Sequence, residues 1–179
     1  MRLRLLVANG LVLGGVAWMA VVAGTETRPT ELLSRKVAST TAPAVMERLE
    51  ARAAVSPDAR ATAELASAYL DRGEAGLATA VIERAPVEVR GRPEVGQLYA
   101  RALFHRGRAR AALAVARDAS ETCADSGACA PWVAAKTARQ VAFFEQVVAA
   151  GIDDPQTDPD ATRAAYERSA HEVRLVAMR

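Results

Sequence analysis

Apolar and polar positions fall into two regimes along the chain. From Leu5 to Val22 the sequence carries no charged residue, and Asn9 is its only strongly polar side chain. Arg2 and Arg4 precede this run, and Thr25, Glu26 and Arg28 follow it. A membrane span needs roughly 20 apolar residues, so this run predicts a transmembrane helix within residues 1–24. From residue 44 onward the regime changes. Apolar residues recur every three or four positions with charges between them, which is the helical period. Gly, Pro, Asp and Ser punctuate the stretches. This pattern predicts helices over 44–55, 59–72, 75–85, 93–106, 109–121, 131–150 and 159–177. In the first of these, Val45, Leu49, Arg52 and Ala53 share one side. Pro43 and Pro93 suit a first helical turn, and Asp158 suits a cap. Residues 25–42, rich in Thr, Ser and Arg, read as a linker.

Two of these stretches repeat. Residues 63–78 and 97–112 align with matching positions 34 residues apart. The pairs are Leu65/Tyr99, Ala66/Ala100, Ala68/Ala102, Tyr69/Leu103, Arg72/Arg106, Gly73/Gly107, Ala75/Ala109, Ala78/Ala112 and Ala85/Ala119. Alanines at the paired positions let two helices approach closely, and the larger residues fill the space between. Gly73 and Gly107 end the first helix of each pair, where a left-handed conformation costs glycine little. A third unit begins after Cys129 with Val133 and Ala134 in register, but Val141 stands at the turn position. The helix is therefore expected to run on to Ala150.

The 34-residue period, the small–large alternation and the turn glycine resemble the tetratricopeptide repeat. The resemblance covers residues 59–126. Thr62 and Gly96 stand where that family often has Trp, and Arg90 and Ala124 where it often has Pro. It implies an all-α fold, a short right-handed α-solenoid of helix–turn–helix repeats, here with flanking helices and an N-terminal transmembrane helix. Residues 43–130 would hold the repeats with their capping helix, and residues 131–179 a C-terminal helical hairpin. In the family, the first helix of each repeat lines a concave partner-binding face. Carried onto this chain, that face comprises Arg60, Ala63, Ser67, Leu70 and Asp71, then Glu94, Gln97, Arg101, Phe104 and His105. Arg101 would hold a partner's carboxylate with two hydrogen bonds, and Phe104 would supply an apolar anchor unless it belongs to the core. Tyr69, Trp132, Phe143 and Phe144 read as packing residues.

Composition agrees with helices. There are 41 alanines, and aromatics make up only 4%, which disfavours strand-rich folds. The formal charge is +2, and it resides in Arg2 and Arg4. The remainder is neutral, with no net pull on nucleic acid. There is no Walker loop, no Gly-x-Ser-x-Gly elbow and no His-Glu-x-x-His, so the expectation is a binding protein, not an enzyme, with no cofactor and no metal. Cys123 and Cys129 flank Ser126-Gly127, a spacing that lets the chain turn back. A disulfide in an oxidising compartment is the expectation, with free thiols and metal binding as the alternatives.

An exported domain and a disulfide support each other. The expected protein is a single-pass bacterial inner-membrane protein with its domain in the periplasm. It would be a scaffold or assembly factor that contacts a protein or peptide partner in an envelope complex. The alternative is a signal peptide cut near Ala23, which leaves a secreted regulatory or structural subunit whose 131–177 hairpin makes the main contact. The sequence leaves the oligomeric state open.

Overall fold

Proline and aspartate set the helix starts. Pro43, Pro93 and Pro131 each occupy a first-turn position, where the missing N–H is not needed. Asp58 and Asp158 cap their helices by accepting from the backbone N–H of Ala61 (2.7 Å) and Ala161 (3.0 Å). A computed structural model describes residues 42–126 and 129–177, with side chains over 42–125 and 129–170. All belong to one unit, Ser39–Arg179. The predicted membrane helix in 1–24 lies outside the described residues, as does the linker up to residue 41.

The described residues are all-α, with eight helices. They are α1 Pro43–Val55, α2 Ala59–Asp71, α3 Ala75–Arg84, α4 Val87–Arg90, α5 Pro93–His105, α6 Ala109–Ser126, α7 Pro131–Ala149 and α8 Pro159–Ala177. Consecutive helices pack as hairpins: α2 on α3, α5 on α6, α7 on α8. The first helices of the hairpins also touch in sequence, α2 to α5 and α5 to α7, while α3 packs on α5 and α6 on α7. No strand occurs among the described residues.

The hairpin turns share one chemistry. Gly73 has φ +79° and Gly107 φ +71°. The N–H of Gly73 donates to Leu70 O (3.0 Å) and that of Glu74 to Tyr69 O (2.9 Å). Thirty-four residues later, Gly107 donates to Phe104 O (3.0 Å) and Arg108 to Leu103 O (3.0 Å). These paired bonds satisfy carbonyls that the helix end leaves open. The third hairpin keeps the long first helix expected of it, which runs past Val141 to Ala149. Gly151, at φ +71°, donates to Val148 O (3.0 Å), and Ile152 donates to Val147 O (3.1 Å). The same turn is present, displaced by a longer first helix. Ile152 is buried beside Val147, the apolar contact that accompanies this cap.

The alanines act as predicted. Ala66, Ala78, Ala100 and Ala112 are each 0% exposed, so backbones meet with no side chain to displace. Two clusters of buried residues result. One gathers Met46, Leu65, Tyr69, Ile82 and Val95, the other Leu103, Phe104, Leu113, Phe144, Val147 and Ala165. Three further details differ from the sequence reading. On α1, Met46 is the buried residue while Val45 is exposed, so the buried side is Met46, Leu49 and Ala53. Pro86 ends the second helix of the first hairpin and is followed by the one-turn α4, which periodicity over four residues did not reveal. No proline interrupts α6, which continues past residue 121 to Ser126.

Candidate partner-binding groove

The first helices of the three hairpins bring their N-terminal ends to one open cavity of about 670 Å³. Its lining comes from α2 (Ala59, Arg60, Ala63, Glu64), from the start of α5 (Gly91, Arg92, Pro93, Glu94), and from Thr122, Cys129, Ala130, Trp132 and Val133. The volume falls in the range of small-ligand and side-chain pockets. Trp132 is 66% exposed. That corrects its assignment as a packing residue, because a large exposed aromatic leaves its hydrophobic surface unused.

The rim charges are already matched. Arg60 Nε donates to Glu64 Oε1 at 2.8 Å, and Arg52 Nη1 donates to the other oxygen at 3.0 Å. These contacts hold the Glu64 carboxyl below its usual range, the bond from Arg60 first, and raise the Arg60 guanidinium in turn. Arg92 Nε donates to Glu94 Oε1 at 3.4 Å. All five side chains are a third or more exposed, so the pairs add little stability. The groove lining itself holds two arginines and two glutamates, and Arg52 adds a third guanidinium beside Glu64.

The expected concave-face residues divide into four groups. Arg60, Ala63 and Glu94 line the groove. Ser67 is half-buried farther along α2. Asp71, Arg101 and His105 are exposed at the far ends of α2 and α5, where Arg101 Nη2 lies 3.6 Å from Asp71 Oδ1. Arg101 thus has a carboxylate within the chain. His105 packs near Phe104, with ring centroids 6.1 Å apart. Lost hydration, and then the charge of Arg101, hold its imidazole below the usual range.

Gln97, Phe104 and Leu70 are buried and do not offer a contact surface. Gln97 is 4% exposed. Its Nε2 donates to Thr137 Oγ1 (2.6 Å) and to Val133 O (3.1 Å), and Gln140 Nε2 donates to Gln97 O (2.9 Å). These bonds clamp α5 to α7. Phe104 is 7% exposed and sits against Phe143 and Phe144 at 5.4 and 5.2 Å between centroids. Helix α7 covers the face that would be concave in a two-repeat stack, which is why both residues became core.

Cys123 and Cys129 are joined, with sulfurs 2.09 Å apart. The bond ties the end of α6 to the residue two before α7, so Cys129 enters the groove wall beside Trp132. Among the described residues no group of three or more His, Cys, Asp or Glu gathers as a metal site. No helix among them is long and apolar enough to cross a membrane. Comparison with protein-family models, with curated protein sequences and with solved structures finds no match.

Proposed function

We propose that the chain is a tetratricopeptide-like interaction module: a short right-handed α-solenoid, tethered by its N-terminal segment to a bacterial inner membrane, with its domain in the periplasm. It serves as a scaffold or assembly factor in an envelope complex, and it binds a protein or peptide partner instead of catalysing a reaction. One observation carries the reading. Three hairpins closed by the same glycine turn set the ends of their first helices around an open groove with an exposed Trp132. The apolar run Leu5–Val22 supports the tether, and the Cys123–Cys129 bond supports an oxidising compartment.

The test is photo-crosslinking in cells from full-length protein, with a photoreactive residue at position 63 in the groove or at position 114 on the exposed side of α6. The expected result is a reproducible envelope protein captured from 63 and not from 114, in the membrane fraction, with residues 1–24 retained. Equal capture from both positions, or none, would overturn the groove as the contact surface. Recovery of a soluble chain that begins near Gly24 would replace the tether with a secreted subunit.

A further inference from the structure

The groove wall holds one group that can form and break a covalent bond. Of the chain's two cysteines, Cys129 lines the cavity with Ala130 and Trp132, and Cys123 does not. Cys123 is 7% exposed within α6, whereas Cys129 is half-buried. A thiolate arriving from solvent therefore reaches the disulfide from the Cys129 side. Exchange at a disulfide depends on which sulfur is accessible, and here access comes through an open cavity of about 670 Å³.

The two sulfurs also sit in opposite electrostatic settings. Cys129 stands two residues before Pro131, the first residue of α7, and a helix N-terminus favours a thiolate. Cys123 lies in the last turn of α6, where open carbonyls disfavour one. The groove charges lean the same way, with two glutamates against three guanidinium groups once Arg52 is counted. Cys129 is thus the sulfur suited to meet a partner. Cys123, with its Cα 5.2 Å from that of Cys129, is suited to displace the partner, because the less acidic thiol is the stronger nucleophile once ionised.

We infer that the groove is a thiol–disulfide exchange site, in which Cys129 takes the cysteine of a partner polypeptide into a mixed disulfide and Cys123 releases it. That the partner is a polypeptide rests on the interaction-module reading; the chemistry rests on the chain's own sulfurs. The partner's thiolate attacks the Cys129 sulfur. The Cys123–Cys129 bond breaks, its electron pair leaves on the Cys123 sulfur, and that thiolate takes a proton from water. A bond from Cys129 to the partner's sulfur stands in its place. Release is the reverse: Cys123 gives up its proton, attacks the Cys129 sulfur and expels the partner's thiolate. One disulfide is traded for another, so the cycle consumes no oxidant or reductant and the partner leaves unchanged.

Glutathione is the first probe. Oxidised full-length protein is mixed with reduced glutathione, quenched with acid and mapped by peptide mass spectrometry. The expected result is glutathione on Cys129 and none on Cys123, at a rate that stays flat in urea below the unfolding midpoint. An adduct on Cys123, or a rate that climbs with urea in step with unfolding, would mean that the bond opens only when the chain unfolds, and would overturn the inference. Cys123→Ser and Cys129→Ser each lack the bond and keep one thiol, so the stability lost with the bond is common to both. Glutathione disulfide should modify Cys129 in the first at least tenfold faster than Cys123 in the second; equal rates would also overturn it. In cells, Cys123→Ser removes the releasing sulfur. It should hold a polypeptide on Cys129, seen as a band that a thiol reductant removes and that Cys129→Ser lacks. A small-molecule adduct alone would assign the exchange to small thiols and overturn the polypeptide partner. If crosslinking captures a partner from position 63 while Cys129 forms no adduct, this inference fails and the module reading stands.

Discussion

Replacing Gln97 separates a structural clamp from a contact residue. Gln97→Met keeps the length of the side chain and removes the amide. Two bonds are lost, to Thr137 Oγ1 at 2.6 Å and to Val133 O at 3.1 Å. Neither acceptor is stranded, because Thr137 Oγ1 still donates to Val133 O at 2.7 Å. At about 1 kcal/mol net for each bond, with part recovered by burying the thioether, the expected loss is ~1–2 kcal/mol. Gln97→Glu is harsher. A carboxylate only accepts, yet the Thr137 proton is committed to Val133 O, and Val133 O is itself an acceptor. The site would hold either an unpaired buried charge or an acid forced to keep its proton, at a cost of ~3 kcal/mol or more. Urea unfolding of the full-length chain, followed by far-ultraviolet circular dichroism, reads both. The exposed Arg60→Met, within about 0.5 kcal/mol of wild type, is the surface reference. A Gln97→Met protein that unfolds at the wild-type midpoint while losing partner capture would refute the clamp and return Gln97 to the binding face. Gln97→Glu tolerated as well as Gln97→Met would refute the account of the buried acceptors.

Three further outcomes follow from other parts of the fold. Gly107→Ala and Gly151→Ala both force alanine to φ +71°, which costs ~1–2 kcal/mol. Only at Gly107 would the new Cβ lie 3.3 Å from Asp154 Cβ and Cγ, whereas nothing lies within 4 Å at Gly151. Gly107→Ala should therefore be the less stable variant in the same urea assay, and equal midpoints would discount the contact. Reducing Cys123–Cys129, six residues apart, opens a short loop and should lower stability by ~2 kcal/mol on the chain-entropy estimate; unchanged midpoints with and without a thiol reductant would rule that out. The Tyr69 hydroxyl donates to Glu50 Oε1 at 2.6 Å. That bond first, then burial, pushes the phenol up to about 12. A raised folded value means the contribution is whole below pH ~10, the unfolded value, and is lost as pH rises through about 12. The rise from 10.0 to about 12 corresponds to ~2.7 kcal/mol, which solvent at the hydroxyl end reduces to ~1 kcal/mol. Stability measured between pH 9 and 12.5 should therefore fall by about that amount more in wild type than in Tyr69→Phe; parallel curves would count against the bond.

Helix positions were legible because their signals are local. Prolines, aspartates and glycines act on the backbone within a few residues, and they place most of the predicted starts and ends within a residue or two. The 34-residue register was legible because Ala66 and Ala100, like Ala78 and Ala112, must be small for any neighbour that packs on them. What the sequence concealed depends on distant chain. Gln97 and Phe104 read as a concave face when two repeats are considered alone. Their burial requires α7, whose Thr137 and Phe144 lie 40 residues downstream. Trp132 misled in the opposite sense. Aromatics are usually buried, and nothing within helical spacing of Trp132 shows that the neighbouring wall stands back from it. The signal that existed was its position, one residue inside α7 and three after a cysteine.

The groove arises where the repeat is broken. Pro86 interrupts the first hairpin's second helix, and the one-turn α4 carries the chain to Gly91 and Arg92, both in the lining. After the second hairpin, α6 runs uninterrupted to Ser126, and the chain returns through Cys129 and Ala130, also in the lining. As a result α7 starts at Pro131, 38 residues after Pro93, although Pro93 follows Ala59 by the regular 34. By helix starts the third hairpin is therefore four residues out of the 34-residue register in which Val133 and Ala134 were read, and the shift falls where the disulfide closes the chain. A strict third repeat would start its first helix four residues earlier, and neither Cys129 nor Trp132 would then sit at the helix entrance. The repeated positions thus account for the packing of the hairpins, while the departures from the repeat account for the cavity between them. Deleting four residues there tests this directly: with the cysteines removed and the 34-residue spacing restored, the hairpins should still fold, and crosslinking capture from position 63 should be lost. If capture survives the regular spacing, the interruptions are incidental and the groove belongs to the repeat itself.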